Sequence, residues 1–174
     1  AKLLKDSGYA TKIVGKWHCG DQKEFLPTRH GFDSYYGIPY SNDMGRQNED
    51  DKWPPLPLLR DEEVIQAQPD QRGITERYVE ESVRFIREQK DSPFFLYFAH
   101  MHVHLPHYPP ERFLKESENG VYGGAVACID WATDVLLNEL KSLGLDENTI
   151  VLFTSDNGSR VRDEGGSNGP LRGT

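Results

Sequence analysis

A lysine and a histidine stand two positions apart at the end of the first predicted strand of the sequence. Lys16 and His18 follow residues 9–14, which have the composition of a strand. Side chains two residues apart on a strand point to the same side. Lys16 can hold an anion as a point charge, and His18 can carry a proton near neutral pH. The pair predicts an anion site with proton transfer, although a Lys-x-His step is also typical of a solvated strand end.

Composition limits the partners that such a site can serve. The 174 residues are 36% hydrophobic and 11% aromatic, which predicts a globular domain. The net charge of -8 argues against nucleic acid and anionic lipid as partners, since both need clustered lysine and arginine. No apolar run approaches the roughly 20 residues that span a bilayer. We therefore expect a small-molecule ligand, no nucleic-acid partner and no membrane span.

Both ends of the sequence have the pattern of an interrupted element, so we expect an internal fragment of a longer protein. Residues 1–174 would then form part of one domain. Residues 1–8 have the pattern of the last turns of a helix that ends at Gly8, and residues 163–174 form a glycine-rich loop. Two cysteines are too few for a disulfide framework. We expect Cys19 and Cys128 to be free thiols, with Cys128 in the core of a helix.

The elements between these ends alternate in type, which predicts an α/β domain with a mostly parallel central sheet flanked by helices. Residues 20–60 are rich in Gly, Pro, Asn and Asp and predict a long irregular excursion beside a site. The later elements are a helix over 75–90, a strand over 93–99 covered on both faces, a helix with its apolar stripe at 125–143 that ends at Gly144, and a buried strand over 149–154.

Polar groups follow three of the predicted strands. Lys16 and His18 end the first, residues 100–104 follow the second, and Asp156 and Asn157 follow the third. Ligands gather beyond the carboxyl ends of parallel strands, so we expect these groups to converge on one rim. Asp-Asn-Gly is also ordinary turn chemistry. Its alternative is a Ca²⁺ or Mg²⁺ site, and Ca²⁺ needs about six to eight oxygens, of which two are present here.

The histidines support a rival interpretation. His100, His102 and His104 alternate onto one side of an extended segment, and zinc accepts neutral imidazoles. A non-catalytic zinc-binding module is therefore an alternative function. Three imidazoles on one rigid strand satisfy a tetrahedron poorly without bending.

Several segments together resemble the sulfatase family, of the arylsulfatase A and N-acetylgalactosamine-6-sulfatase type, within the alkaline-phosphatase-like superfamily. The likeness extends over nearly the whole chain, and its two specific parts are the Gly-Lys-Trp-His and Asp-Asn-Gly segments. The segments are residues 15–20, Leu26-Pro27, residues 30–33, residues 37–41, residues 93–97, residues 155–158 and residues 165–169.

The resemblance implies hydrolysis of sulfate monoesters and gives each candidate residue a role. In the family pattern Lys16 holds the sulfate, His18 takes a proton, and Ser41 and His104 contact the sulfate. Asp156 and Asn157 match ligands of one Ca²⁺ ion, with Mg²⁺ the less favoured metal. A metal with nearby cations stabilises the charge that develops on a leaving sulfate.

The family's formylglycine nucleophile is made from a Cys or Ser in a Cys/Ser-x-Pro/Ala-x-Arg segment, and neither Cys19 nor Cys128 has that context. The resemblance thus implies a nucleophile outside these residues, a formylglycine-generating enzyme as maturation partner, and an isolated fragment without activity. It also implies a periplasmic or secreted protein, with a lysosomal one as the alternative. A phosphodiesterase or phosphonate hydrolase of the same superfamily is the second enzymatic alternative.

Overall fold

The computed structural model describes residues 1–49, 52–159 and 165–172, and within them five strands and four α-helices are joined by loops and short 3-10 turns. The strands are β1 (Ala10–Gly15), β2 (Ser34–Gly37), β3 (Pro57–Arg60), β4 (Glu63–Ala67) and β5 (Phe94–Ala99). The helices are α1 (Lys2–Asp6), α2 (Ile74–Glu88), α3 (Glu111–Glu116) and α4 (Gly120–Ser142).

The strands form one mixed sheet in the order β4-β3-β2-β1-β5. β1 pairs in parallel with both β2 and β5, whereas β2–β3 and β3–β4 pair antiparallel. The α/β class is confirmed, and its parallel part is the three strands β2, β1 and β5. The expectation of unbroken irregular structure over 20–60 is wrong, because β2 and β3 lie there. Each is only four residues long, too short to show a period among so many Gly and Pro residues.

Both faces of β1 are covered, so Thr11 and Lys12 are buried along with Ile13 and Val14. Val14 is fully buried and packs in a cluster with Tyr78 and Ile74 of α2. Ile13 points to the opposite face and packs with Phe32 and Leu26. Alternate residues of a strand face opposite sides, so one strand contributes to two cores. β1 is therefore a strand buried on both faces that leads directly into the Lys16–His18 segment.

The helix predictions are confirmed at their main points. α1 ends before Gly8, which has a φ of 86°. α2 matches the helix expected over 75–90, and α4 contains the apolar stripe and ends just before Gly144, with a φ of 68°. Cys128 is buried in α4 and Cys19 is exposed, both as free thiols. Of the expected glycine-rich loop, positions 163, 164, 173 and 174 lie outside the described residues, and 165–172 form no helix or strand.

The buried strand expected over 149–154 is wrong. Ile150 is 89% exposed, Leu152 is 87% exposed and Phe153 is 74% exposed, and the segment belongs to neither helix nor sheet. An apolar run shows that a segment needs burial, but it does not show whether a partner strand lies beside it. β5 is confirmed as a strand, but its Tyr97 is 48% exposed. One face of β5 is thus partly open to solvent at Tyr97, so the expectation of a strand covered on both faces is wrong there.

Candidate active site

The segment after β1 runs between the ends of its two parallel neighbours. The backbone N–H of Lys16 donates to the carbonyl of Ala99 at the end of β5, over 2.9 Å. On the other side the N–H groups of Trp17 and His18 donate to the carbonyls of Ile38 and Pro39, each over 3.0 Å. The candidate residues are therefore held on a rigid extension of the sheet, at its carboxyl-terminal edge.

Two glycines allow these strand ends to approach closely. Gly15 has a φ of 124°, and a Cβ at this position would collide with the carbonyl oxygen of Ala99. A Cβ at Gly37 would collide with the carbonyl oxygen of Gly15. Glycine is thus required at both positions by geometry, and the turn at Gly15 directs the chain toward Lys16.

Ser41 and His104 form the second part of the site. Ser41 is 2% exposed, and its Oγ lies 3.3 Å from Nδ1 of His104. The same Nδ1 lies 2.6 Å from the carbonyl oxygen of Leu105, which can only accept, so this contact requires a proton on Nδ1. Asp43 Oδ1 lies 3.9 Å from Nδ1. The imidazole of His104 is therefore oriented by three neighbouring oxygen atoms while its side chain stays 43% exposed.

The pKa of His18 is affected by charges from both parts of the site, the segment after β1 and the Ser41–His104 group. Partial burial lowers the pKa of His18, the charges of Lys16 and His104 lower it further, and Asp43 acts in the opposite direction. His18 also has a φ of 58°, an uncommon backbone for a residue other than glycine. A lowered pKa keeps the imidazole neutral near pH 7, the form that can accept a proton.

Of the three groups expected to converge on one rim, two do so. The ends of β1 and β5 bring Lys16, His18 and His104 together. Asp156 and Asn157 instead lie in an exposed loop, where the amide nitrogen of Asn157 donates to Asp156 over 3.2 Å. Within the described residues, no hydrogen bond or ion pair joins them to the other candidates. They are not at a strand end because residues 149–154 do not enter the sheet.

This loop rests on the start of α4, on the side of His107. Ser159 Oγ lies 3.4 Å from the hydroxyl of Tyr122, whose ring contacts His107 at a centroid distance of 5.6 Å. His107 in turn bonds the carbonyl of Val103 over 3.1 Å. The Asp156–Asn157 loop is thus linked by contacts to the segment that carries His104.

The zinc interpretation of the histidines is wrong. Residues 100–104 turn back, with the N–H of His104 bonding the carbonyl of Met101 over 3.2 Å, so the three imidazoles do not alternate along a strand. Burial lowers the pKa of His100 to about 3 and that of His102 to about 4, each with a smaller contribution from a neighbouring histidine. Among the described residues, no three His, Cys, Asp or Glu side chains are grouped to hold a metal ion.

Sequence reasoning missed two residues beside Ser41. Asp43 is the carboxylate nearest His104, and Asn42 is fully buried, with its amide nitrogen donating to Gln71 over 3.0 Å and to the carbonyl of Pro106 over 3.1 Å. Asn42 therefore ties the Ser41 segment to the His104 segment. The signal in the sequence was the polar triplet that follows Tyr40, since three polar residues after an apolar run need buried partners or solvent.

The family model described as Sulfatase matches residues 1–174. The chain belongs to the sulfatase family. N-acetylgalactosamine-6-sulfatase of Rattus norvegicus is 42% identical to this sulfatase chain over 98% of the chain, and arylsulfatase A of Homo sapiens is 34% identical over 99%. The chain spans 35% of the length of the first relative and 38% of the second.

Solved structures agree with this membership. The sulfatase PsFucS1 from Pseudoalteromonas sp. superposes with a TM-score of 0.78 and 29% identity, covering 90% of this chain and 37% of its own. Ps i-CgsB in complex with k-i-k-neocarrahexaose gives a TM-score of 0.79 and 27% identity, over 98% of this chain and 42% of its own. No helix of the sulfatase chain, within its described residues, has the length and apolarity to cross a bilayer.

Proposed function

We propose that this chain supplies the sulfate-binding and proton-transfer groups of an enzyme that hydrolyses sulfate monoesters of sugars. The observation that carries the proposal is the meeting of a cation, a neutral imidazole and an oriented Ser41–His104 pair at one edge of the sheet. The sulfatase membership supports sulfate over phosphoryl esters. A relative named for N-acetylgalactosamine 6-sulfate and a neighbour bound to a carrageenan oligosaccharide support a sugar as the carrier.

In this proposal each residue has a separate task. The ammonium of Lys16 attracts the sulfate and stabilises the negative charge that grows on its oxygens. The hydroxyl of Ser41 donates to a sulfate oxygen, and the imidazole of His104 contacts the sulfate through Nε2, because its Nδ1 is used by the carbonyl of Leu105. His18, kept neutral by its lowered pKa, accepts a proton at an imidazole nitrogen during turnover.

Asp156 and Asn157 are the proposed contributors to a Ca²⁺ site. A carboxylate and an amide oxygen, both exposed and adjacent, are the donor types that Ca²⁺ prefers, so the pair fits the ion in chemistry. The other ligands would have to come from elsewhere. A bound Ca²⁺ would supply positive charge to polarise sulfate oxygens.

The nucleophile is proposed to be a formylglycine outside these 174 residues, made by a formylglycine-generating enzyme. The chain by itself is then expected to show no turnover. For the cellular location we keep the prediction made from the sequence: the protein is periplasmic or secreted, and a lysosomal location is the alternative.

The test is hydrolysis by the protein expressed from the complete coding sequence. We expect release of sulfate from an aryl sulfate and from N-acetylgalactosamine 6-sulfate, and Lys16→Gln should lower kcat/KM about 100-fold or more, as loss of a group that stabilises developing charge does. The matched control is Lys141→Gln at the exposed end of α4. Turnover of phosphodiesters or phosphonates in place of sulfate esters would replace this proposal with the second enzymatic alternative.

A further inference from the structure

Three asparagines of the sequence are each followed directly by glycine. They are Asn119-Gly120, Asn157-Gly158 and Asn168-Gly169. An asparagine before glycine can lose its side-chain amide, because glycine has no Cβ that keeps its backbone nitrogen away from the preceding side chain. The two residue types are the same in all three steps, so differences in reactivity must come from the surroundings of each step.

The step at Asn168 is held by hydrogen bonds on both sides. The side-chain oxygen of Asn168 accepts from the backbone N–H of Ser159 over 2.6 Å. The N–H of Gly169, which carries the attacking nitrogen, donates to the hydroxyl of Ser167 over 3.1 Å. Both bonds must open before this nitrogen can reach the side chain, which makes the reaction slow here.

The step at Asn119 is fixed by the start of α4. The carbonyl of Asn119 accepts from the N–H of Gly123 over 3.0 Å, and its amide nitrogen donates to the carbonyl of Gly165 over 3.0 Å. Ring closure turns the peptide between Asn119 and Gly120 out of its position. The first turn of α4 must therefore open before Asn119 can react.

Asn157 lacks these restraints. Asn157 and Gly158 are exposed and belong to neither helix nor strand. Within the described residues, the N–H of Gly158 has no hydrogen-bond partner. The amide nitrogen of Asn157 donates to the neighbouring Asp156 over 3.2 Å, a contact inside the loop itself. The attacking nitrogen and the side chain are thus both accessible at this step.

Ser155 gives this step a further advantage. Its hydroxyl donates to the carbonyl oxygen of Asn157 over 2.7 Å. This oxygen and the nitrogen of Gly158 belong to the same peptide unit, so the oxygen shares the negative charge when the nitrogen loses its proton. A hydrogen bond to that oxygen stabilises the charge as it develops. A side-chain hydroxyl can also rotate with the peptide, which the helical N–H that binds Asn119 cannot do.

We propose that Asn157 is a self-modification site, at which the side-chain amide is lost through a cyclic imide formed with Gly158 and assisted by Ser155. The nitrogen of Gly158 gives its proton to water and forms a bond to Cγ of Asn157. The bond from Cγ to Nδ2 breaks, and Nδ2 takes up a proton and leaves as ammonia. Water then opens the imide at either carbonyl, which gives aspartate or isoaspartate. In sum, one amide and one water become one carboxylate and one ammonium ion.

The reaction changes the donor atoms of the pair proposed to bind Ca²⁺. Aspartate places a second carboxylate beside Asp156, whereas isoaspartate adds a carbon to the backbone and displaces the oxygen. Ca²⁺ bound through the amide oxygen of Asn157 would hold the side chain and protect it. The amide loss itself does not rest on the proposed function, but this protection does.

The experiment follows all three asparagines in one sample of the protein from the complete coding sequence, incubated with a chelator and mapped by peptide mass spectrometry. We expect Asn157 to lose its amide about tenfold faster than Asn119 and Asn168, because hydrogen bonds that hold those two must open first. The product at position 157 should be a mixture of aspartate and isoaspartate. In urea the three rates should become similar.

Ser155→Ala should slow the reaction at Asn157 about threefold, through loss of one hydrogen bond to the developing charge, and leave the other two asparagines unchanged. Ser142→Ala, which removes a hydroxyl that bonds Glu139 on α4, is the matched control and should change none of the rates. Gly158→Ala keeps Ser155 and should slow Asn157 alone by about tenfold or more, because a Cβ hinders the attack.

Similar rates at the three asparagines of the folded protein, aspartate without isoaspartate at position 157, or the same preference for Asn157 in urea would each overturn the proposal. An unchanged rate at Asn157 in Ser155→Ala or in Gly158→Ala would do the same. Excess Ca²⁺ in place of the chelator should slow Asn157 alone. If Ca²⁺ has no effect while the other results hold, the self-modification stands and Asn157 is excluded from the proposed Ca²⁺ site.

Discussion

Ser41 Oγ lies 3.3 Å from Nδ1 of His104, although 63 positions separate the two residues. The contact joins the segment after β2 to the segment after β5, and β1 with Lys16 and His18 lies between them. Two strand ends that are far apart in the chain thus orient a single imidazole. This arrangement is possible because β2, β1 and β5 are parallel and end at the same edge.

We expect Ser41→Ala to lower kcat/KM for sulfate esters about tenfold, because in the proposed function the hydroxyl both orients His104 and bonds the sulfate. The free energy of unfolding, from urea titration, should fall by about 1 kcal/mol at most, the usual net value of one hydrogen bond. Ser142→Ala removes a hydroxyl that bonds the carbonyl of Glu139 on α4 and serves as the control. Unchanged kinetics in Ser41→Ala would remove Ser41 from the site.

A substitution of Asp43 tests which charges set the pKa of His18. The charge of Asp43 raises the pKa of His18 against the stronger lowering by burial, Lys16 and His104. Asp43→Asn removes that contribution, so the pKa of His18 should fall further and the acid limb of the kcat/KM profile should move to lower pH. NMR titration of His18 measures the same shift without turnover. Asp146→Asn, in the exposed turn after α4, should move neither. A shift to higher pH would show that Asp43 does not face His18.

The sequence predicted those strands and helices whose hydrophobic pattern lies within the element itself. The patterns of β1 and β5 and the apolar stripe of α4 reflect the burial of each element's own side chains. The meeting of Lys16 with the segment that carries His104 follows from the parallel pairing of β1 with β5. The sequence alone could predict that the polar groups after β1 and β5 meet, because the parallel strands of one sheet end at the same edge.

Other features depend on contacts that no local pattern contains. The turn that separates His102 from His104 arises where Met101 and His102 enter the core, at 1% and 6% exposure. The imidazole of His102 is buried by contacts between distant parts of the chain. The alternating spacing of the histidines could not show this, and it wrongly predicted that all three lie on one side of an extended segment. The expected strand over 149–154 failed for the related reason that apolarity does not supply a neighbouring strand.

The buried imidazole of His102 makes a prediction about acid stability. Its pKa is about 4 in the folded chain, by burial, and about 6.5 in the unfolded chain, so the unfolded chain binds more protons between these values. The stabilisation is complete above pH 6.5 and is lost as pH falls toward 4. From pH 6.5 to 5 the free energy of unfolding should drop by roughly 2 kcal/mol through this residue.

His102→Leu should remove that part of the pH dependence in urea titrations at pH 5, 6 and 7. The exposed His30, changed to Leu, is the control and should keep the wild-type dependence. An equally steep loss in His102→Leu would show that another group causes it.

The Ca²⁺ dependence of the protein tests whether the exposed loop with Asp156 and Asn157 contributes ligands to a Ca²⁺ site. If Asp156 ligates Ca²⁺ in the protein from the complete coding sequence, Asp156→Ala should weaken Ca²⁺ binding about tenfold or more in calorimetry, as loss of a charged oxygen ligand does. Chelation should abolish sulfate release in wild type, and added Ca²⁺ should restore it. Asp134→Ala, on the exposed side of α4, is the control. Wild-type Ca²⁺ affinity in Asp156→Ala would exclude the residue as a ligand.

A buried ion pair joins β1, the strand that leads into Lys16, to α2. Lys12 Nζ lies 2.7 Å from Glu81 of α2, and their side chains are 9% and 4% exposed. Arg60 of β3 also bonds Glu81 over 2.7 Å. Burial raises the pKa of Glu81, but the bonds from Arg60 and Lys12 outweigh it and bring the value to about 2, so the carboxylate is charged at every pH of interest.

Glu81→Gln leaves the ammonium of Lys12 buried without its counter-charge, so the free energy of unfolding should fall by about 3 kcal/mol or more in urea titration. The double variant Lys12→Met with Glu81→Leu removes both buried charges, and the remaining partners of Glu81, Arg60 and Arg84, are 43% and 55% exposed and can be solvated. It should recover most of that loss, because a well-packed apolar pair costs no desolvation. Lys115→Met with Glu111→Leu, an exposed pair on α3, should change stability by about 1 kcal/mol at most. If Glu81→Gln were as mild as this control, the pair would not be what fixes β1 against α2, and the rigidity of the Lys16–His18 segment would have to come from its backbone bonds to Ala99, Ile38 and Pro39.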